Sequence, residues 1–346
     1  MSKLLIVLMA VLFLVPSASA VSFAPPELTG ESASLIPENQ ESLGQGILSI
    51  LKDILPNIQP ALYEALRCCG CILVIALLIS IVQNIRGCPQ HTTQLVGTLS
   101  VAILLLQSSS SFIGLATQTI QQISEYGRLL LPVMSAALAA QGGTNTSIAL
   151  YTATAAFDAL LSTVITEWIV PLIYVFLCLS CAYSAVGESL LEKLKDWIKW
   201  LATWLLKIIL YIFTGYIAVT GVVSGSADAS VLKAAKLTIS GAVPVVGGIL
   251  SDASEAILVS ASLAKNSAGI YGILAFISIC ILPFLKIGVH YLILKFSAAV
   301  CGIFGSKQLV GLVKDFVTAL GLLLGMTGAV CLLLLISTVC FMKGIA

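Results

Sequence analysis

The sequence predicts an all-α, polytopic membrane protein: six to seven spans plus two broken, re-entrant hairpins, arranged as an internal duplication. Three observations carry this. Mean hydropathy is +1.08, with 59% hydrophobic and 10% charged residues, where soluble domains carry about 25% charged residues. Uncharged runs long enough to cross a hydrocarbon core of about 30 Å recur along the chain. Several short motifs occur twice in the same order. A net charge of +1 supplies no basic patch for nucleic acid and no attraction for an acidic substrate.

The elements follow in order. Residues 1–20 read as a secretory signal, with Lys3 as basic head, Leu4 to Val15 as apolar core and Ala18-Ser19-Ala20 as cleavage site. Cleavage there leaves Val21 outside the cytoplasm. Residues 21–60 are a short polar leader, broken by Pro25-Pro26, Pro37, Pro56 and Pro60, with one amphipathic helix from Leu43 to Ile54. It is too small for an independent domain. Residues 61–124 hold two spans, Ala61 to Gln83 and Leu95 to Thr117.

Residues 125–226 and 227–346 form the two copies. In the first, Leu129 to Leu161 contains Pro132, Gly142-Gly143 and Asp158 and reads as a broken hairpin. A clean span follows from Trp168 to Val186. Glu188 to Lys207 is an amphipathic helix suited to the interface, with Leu190, Leu194, Trp197, Ile198, Leu201 and Trp204 on its apolar face and Lys195 elsewhere. A further span covers about Ile208 to Ser224. The second copy opens with a run that cannot span: Leu237 to Leu250 is short and carries Gly241, Pro244, Gly247 and Gly248. Pro132 to Pro244 and Pro171 to Pro283 share an offset of about 112 residues. Lys195-Asp196-Trp197 is echoed by Lys314-Asp315-Phe316, and Thr214-Gly215 by Thr327-Gly328, with a drift of a few residues.

Basic residues orient the chain. The first span leaves Arg86 inside. Six crossings place Lys193, Lys195, Lys199 and Lys207, then Lys307 and Lys314, inside as well, with both ends outside. Dividing 268–306 at Lys286–Lys295 gives seven crossings and a cytoplasmic C-terminus.

The candidate pathway residues are those of the two hairpins: Pro132, Gly142, Gly143 and Asp158, then Pro244, Gly247, Gly248, Ser251, Asp252 and Glu255. Paired broken segments in matching positions point to a transport path in repeat-built membrane proteins. Glycine permits the reversal, and proline ends a half-helix by removing a donor. Two readings stand for Asp252 and Glu255: a helix cap built by Ser251 or Asp252, or charges holding a cation or pairing with Lys233, Lys236 or Lys265. Asp158 is either a proton or ion site within the membrane or a loop residue near its edge. Most cysteines lie in apolar runs and read as small hydrophobes. With His91 and His290 the only histidines, neither a metal site nor a cofactor is expected. No nucleophile elbow, phosphate loop or dinucleotide fingerprint is present, so no enzyme activity is expected.

The run Ala235-Lys236, Val243-Pro244-Val245-Val246-Gly247-Gly248, Ser251-Asp252-Ala253-Ser254 and Leu263-Ala264-Lys265-Asn266 resembles the stage III sporulation protein AE family of endospore formers. Leu282-Pro283, Lys286 and Lys295-Phe296-Ser297-Ala298-Ala299 fit it too. The resemblance covers about Glu125 to the C-terminus. It implies a multi-pass protein of the mother-cell membrane around the forespore. Its partners would be other sporulation membrane proteins of a channel or secretion-like complex. It transfers no residue-level mechanism. A solute transporter with its path between the hairpins is the alternative.

Overall fold

The computed structural model describes residues 43–83, 90–140, 144–208, 211–212, 215, 247–304 and 306–343, with the backbone alone described over 247–267. The signal and most of the leader, Gly142, Gly143, Lys233, Lys236, Pro244 and most of the 208–224 span lie outside these residues. The described chain is helical, with no strand. Helix α1 is Leu43–Gln83 and α2 is Gln90–Ala140. Helix α3, Thr144–Val164, passes through a π-helical turn, Ile165–Ile169, into α4, Val170–Val186. Helix α5 covers 189–208. Helices α6, Gly247–Phe304, and α7, Lys307–Lys343, complete the bundle. Five helical stretches among the described residues are long and apolar enough to cross a membrane.

Contacts fix the direction of each helix. Ile79 packs on Gly97, so α1 and α2 are antiparallel. Ser135 bonds Ser147 at 2.8 Å and Ser124 bonds Asp158 at 2.9 Å, which folds α3 back along α2. Met342 packs on Gly269 and Tyr291 on Gly321, so α6 and α7 form a second antiparallel pair. Gln94 bonds Gln308 near one end while Gly127 meets Leu334 further along, so α2 and α7 run the same way. Helices α2 and α7 are the centre. Both pack on α3 and α4 and on α6. One large apolar cluster holds them, including the fully buried Ile123, Leu130, Phe276, Phe316 and Leu323. A small second cluster of Ile50, Ile54 and Leu274 ties the start of α1 to α6.

The ends of α1, α4 and α6 and the starts of α2, α5 and α7 therefore gather at one end of the bundle, with Lys193, Lys195, Lys307 and Lys314 near it. The end of α2 and the start of α3 lie at the other. Gly187 makes the tight turn after α4. Its φ of +77° is left-handed, and its N–H donates to the Tyr183 carbonyl at 2.7 Å, closing α4.

Several sequence boundaries shift. Helix α1 runs unbroken through Pro56 and Pro60, so the leader helix and the first span are one element. Both prolines are exposed. Pro132 likewise sits inside α2 and does not break the hairpin. The chain reverses direction between Ala140, the end of α2, and Thr144, the start of α3. The 168–186 span is the second half of one rod beginning at Thr144. Just before Pro171 the rod widens, with the Val170 N–H reaching back to the Ile165 carbonyl. Helix α6 continues through Lys286–Lys295 and past Pro283. No turn exists there at which the seven-crossing arrangement could divide it.

Candidate functional site

Ionisable groups are expensive inside an apolar bundle unless they are paired and hydrogen-bonded. Two buried polar clusters satisfy their ionisable groups, one by hydrogen bonds alone and one by an ion pair as well, and both lie where the α3–α4 rod packs on the centre of the bundle.

The first is built on Asp158. It is 3% exposed, in mid-helix on α3, so it is not a loop residue. The Ser124 hydroxyl of α2 donates to its carboxylate at 2.9 Å and lies 2.7 Å from the Ser162 hydroxyl. Arg128, one turn along α2 from Ser124, is a cation acting on it. The same face of α3 continues the polar line. Thr154 donates to Ser337 of α7 at 3.0 Å, and Ser147 donates to the Ser135 carbonyl at 2.7 Å. Hydroxyls at helical spacing satisfy one another across the interface, which is how polar residues join helices in an apolar environment.

The second cluster lies at the lysine-rich end. Lys195 of α5 donates to the Asp315 carboxylate of α7 at 2.8 Å, with side chains only 8% and 12% exposed. The Ser180 hydroxyl of α4 lies beside the same carboxylate, and Lys199 acts on it from one turn further. The Lys195 ammonium also sits 4.8 Å from the centre of the Tyr183 ring. Three helices thus converge on one ion pair. A second contact fixes their arrangement: Leu206 of α5 packs against Gly325 of α7. Lys195 to Leu206 and Asp315 to Gly325 run in the same order, so α5 and α7 lie side by side and parallel.

This corrects the reading of α5 as a helix lying on the membrane surface with Lys195 on its polar face. Lys195, Ile198, Ala202 and Leu206 face the core, while Leu190, Leu194, Trp197 and Trp204 face outward. Most of the apolar stripe faces outward because the Asp315 partner turns Lys195 inward, and Ile198, Ala202 and Leu206 follow it onto the inner face. The repeated Lys-Asp motif was visible in the sequence. The pairing of Lys195 from one copy with Asp315 from the other was not.

Of the remaining sequence-predicted residues, Gly247, Gly248, Ser251, Asp252, Glu255 and Lys265 lie in the first turns of α6. Their backbone is helical, and their side chains lie outside what is described. A third polar feature was missed in the sequence. Cys68 and Cys69 of α1, Ser108 and Ser109 of α2, and His290 and Ser297 of α6 line a small cleft. His290 packs its ring on Phe112, 4.3 Å between centres, and its Nδ1 lies 3.3 Å from the Lys286 carbonyl. Among the described residues no three His, Cys, Asp or Glu side chains group as metal ligands would. Cys280, Cys301 and Cys331 are buried in the apolar core as small hydrophobes.

Long apolar helices, buried hydroxyl ladders and an ion pair shared between helices define a polytopic integral membrane protein. Residues 37–344 match the family described as stage III sporulation protein AE. The chain belongs to that family, and it is a sporulation membrane protein. It is similar to the stage III sporulation protein AE of Bacillus subtilis (strain 168), with 25% identity over 236 residues. That match covers 67% of this chain and 59% of the relative's length. No solved structure matches.

Proposed function

We propose that the chain is a non-enzymatic subunit of the channel or secretion-like complex joining mother cell to forespore during endospore formation. It would sit in the mother-cell membrane around the forespore and act with other sporulation membrane proteins. The observation that carries this reading is the family match over residues 37–344, on a chain whose described part is a bundle of membrane-length helices. Deleting the gene in a spore former should arrest development after engulfment. Normal spore yield from the deletion strain would overturn the proposal.

A second reading, a solute transporter or a subunit derived from one, is favoured by one observation: the Asp158 carboxylate is buried between helices with hydroxyls on two sides. Ionisable residues so placed mark ion or proton paths in many membrane proteins. Purified protein in liposomes should then carry a proton or solute flux that Asp158→Leu abolishes. Liposomes as tight as protein-free ones would leave only the assembly role.

A further inference from the structure

Glu167 faces outward in the π-helical turn, in the middle of the apolar stretch Ser147–Val186. Lys286 is partly exposed, in the middle of the stretch Ala268–Ile303. The two are level with each other. Thr154 meets Ser337 and Ser180 lies beside Asp315. Glu167 is midway between Thr154 and Ser180, which places it level with Met326. Phe284 meets Gly328 and Tyr291 meets Gly321, which places Lys286 level with Met326 too.

They also lie on opposite flanks. The α3–α4 rod and α6 each pack on both α2 and α7, and not appreciably on one another. Glu64 and Arg67 of α1 and Lys207 of α5 are exposed at neighbouring levels, which completes a belt of two acids and three bases. Lys195–Asp315 is the one ion pair among the described residues, so no two members of the belt are within bonding distance. Outward-facing charges inside apolar stretches need a partner.

We propose that the partner is a second copy of this chain, docked head to tail, with Glu167 of one copy against Lys286 of the next. Copies related by an axis along the membrane normal keep every residue at its own height. Two opposite charges at one height on opposite flanks are therefore complementary under such a rotation. Contacts between unlike surfaces close into rings. The proposal deepens the channel reading, since a ring of copies encloses a path, but it does not require sporulation to be tested.

The test uses the full chain in membranes of a non-sporulating host, as two differently tagged copies, with Trp168→p-benzoylphenylalanine as photo-crosslinker. Illumination should join the two tags, and the adduct should map to α6 near Lys286. Glu167→Lys or Lys286→Glu alone should lower the yield about tenfold, and the double reversal should restore it, as charge complementarity requires. The proposal is overturned if no adduct joins the tags, or if the adduct is to another protein or to lipid. It is equally overturned if the double reversal crosslinks no better than the single variants. Loss of the sporulation phenotype in a deletion strain is a separate measurement, so failure of the channel reading and failure of self-assembly are distinguishable.

Discussion

Breaking the Lys195–Asp315 pair should be among the most destabilising polar changes available in this bundle. The two atoms are 2.8 Å apart and the side chains are 8% and 12% exposed, so solvent screens them little. Two unit charges about 4 Å apart attract by roughly 4 kcal/mol at an effective dielectric near 20. Removing one partner from a buried pair typically costs about 3–5 kcal/mol, because the other charge stays buried without compensation. Asp315→Asn removes the countercharge and leaves the Lys195 ammonium with a neutral amide oxygen and the Tyr183 ring. Lys195→Met leaves Asp315 with the Ser180 hydroxyl and the more distant Lys199. At about 2 °C per kcal/mol for a chain of this size, each single change should lower the melting temperature by roughly 6–10 °C. The double variant Lys195→Met, Asp315→Leu replaces both charges by apolar groups of similar volume and should melt near the parent, since such replacements are often neutral or stabilising. Thermal unfolding in detergent, followed by tryptophan fluorescence and read as a double-mutant cycle, measures the coupling. Single variants within about 1 kcal/mol of the parent, or a double variant whose loss is the sum of the singles, would show that the pair does not join α5 to α7 as argued.

Other predictions test neighbouring parts of the bundle. Asp158→Asn keeps the shape and an acceptor for Ser124, whereas Asp158→Ala leaves the Ser124 and Ser162 hydroxyls short of a partner. The alanine variant should lose about 1–3 kcal/mol in the same melting assay and the asparagine variant less. A Cβ at Gly127 would lie 2.9 Å from the Leu334 side chain. Gly127→Leu should therefore push α2 from α7 and cost roughly 1–3 kcal/mol or more, with Leu334→Ala partly rescuing it.

The class of fold was legible in the sequence because hydrocarbon imposes it. Long uncharged runs can only be helices when every backbone group must be satisfied within the segment. The hairpin of α2 and α3 was legible from Gln141-Gly142-Gly143, between two apolar runs. Pro132 misled as a breaker, as did Pro56 and Pro60. Proline removes one donor, but a helix long enough to be held by neighbours runs through it. The facing of α5 was the largest error. Its apolar stripe has the spacing of a surface helix, and amphipathicity does not say which side is water when the surroundings are lipid. Only the position of Asp315, far away in sequence, sets Lys195 inward. The Asp158 cluster was half legible: the lone acid marked it, but Ser124 and Ser162 looked like many other serines.

The parallel course of α5 and α7 bears on how the two copies are related. Each begins close to the end of the helix before it, α5 at 189 and α7 at Lys307, and each carries its Lys-Asp motif about two turns in. Inverted repeats would put equivalent helices in opposite directions and their lysines on opposite faces. Repeats related by an axis along the membrane normal keep both on one face. The starts of α5 and α7 therefore belong to one side, with the start of α3 on the other, and the lysine bias predicts that the shared side is the cytoplasmic one. Alkaline phosphatase fused within 141–143 should be active, and fusions after Glu188 and after Ser306 should both be inactive. Fusions at 188 and 306 that report opposite sides would refute the parallel arrangement, and with it the equal heights on which head-to-tail docking of copies depends.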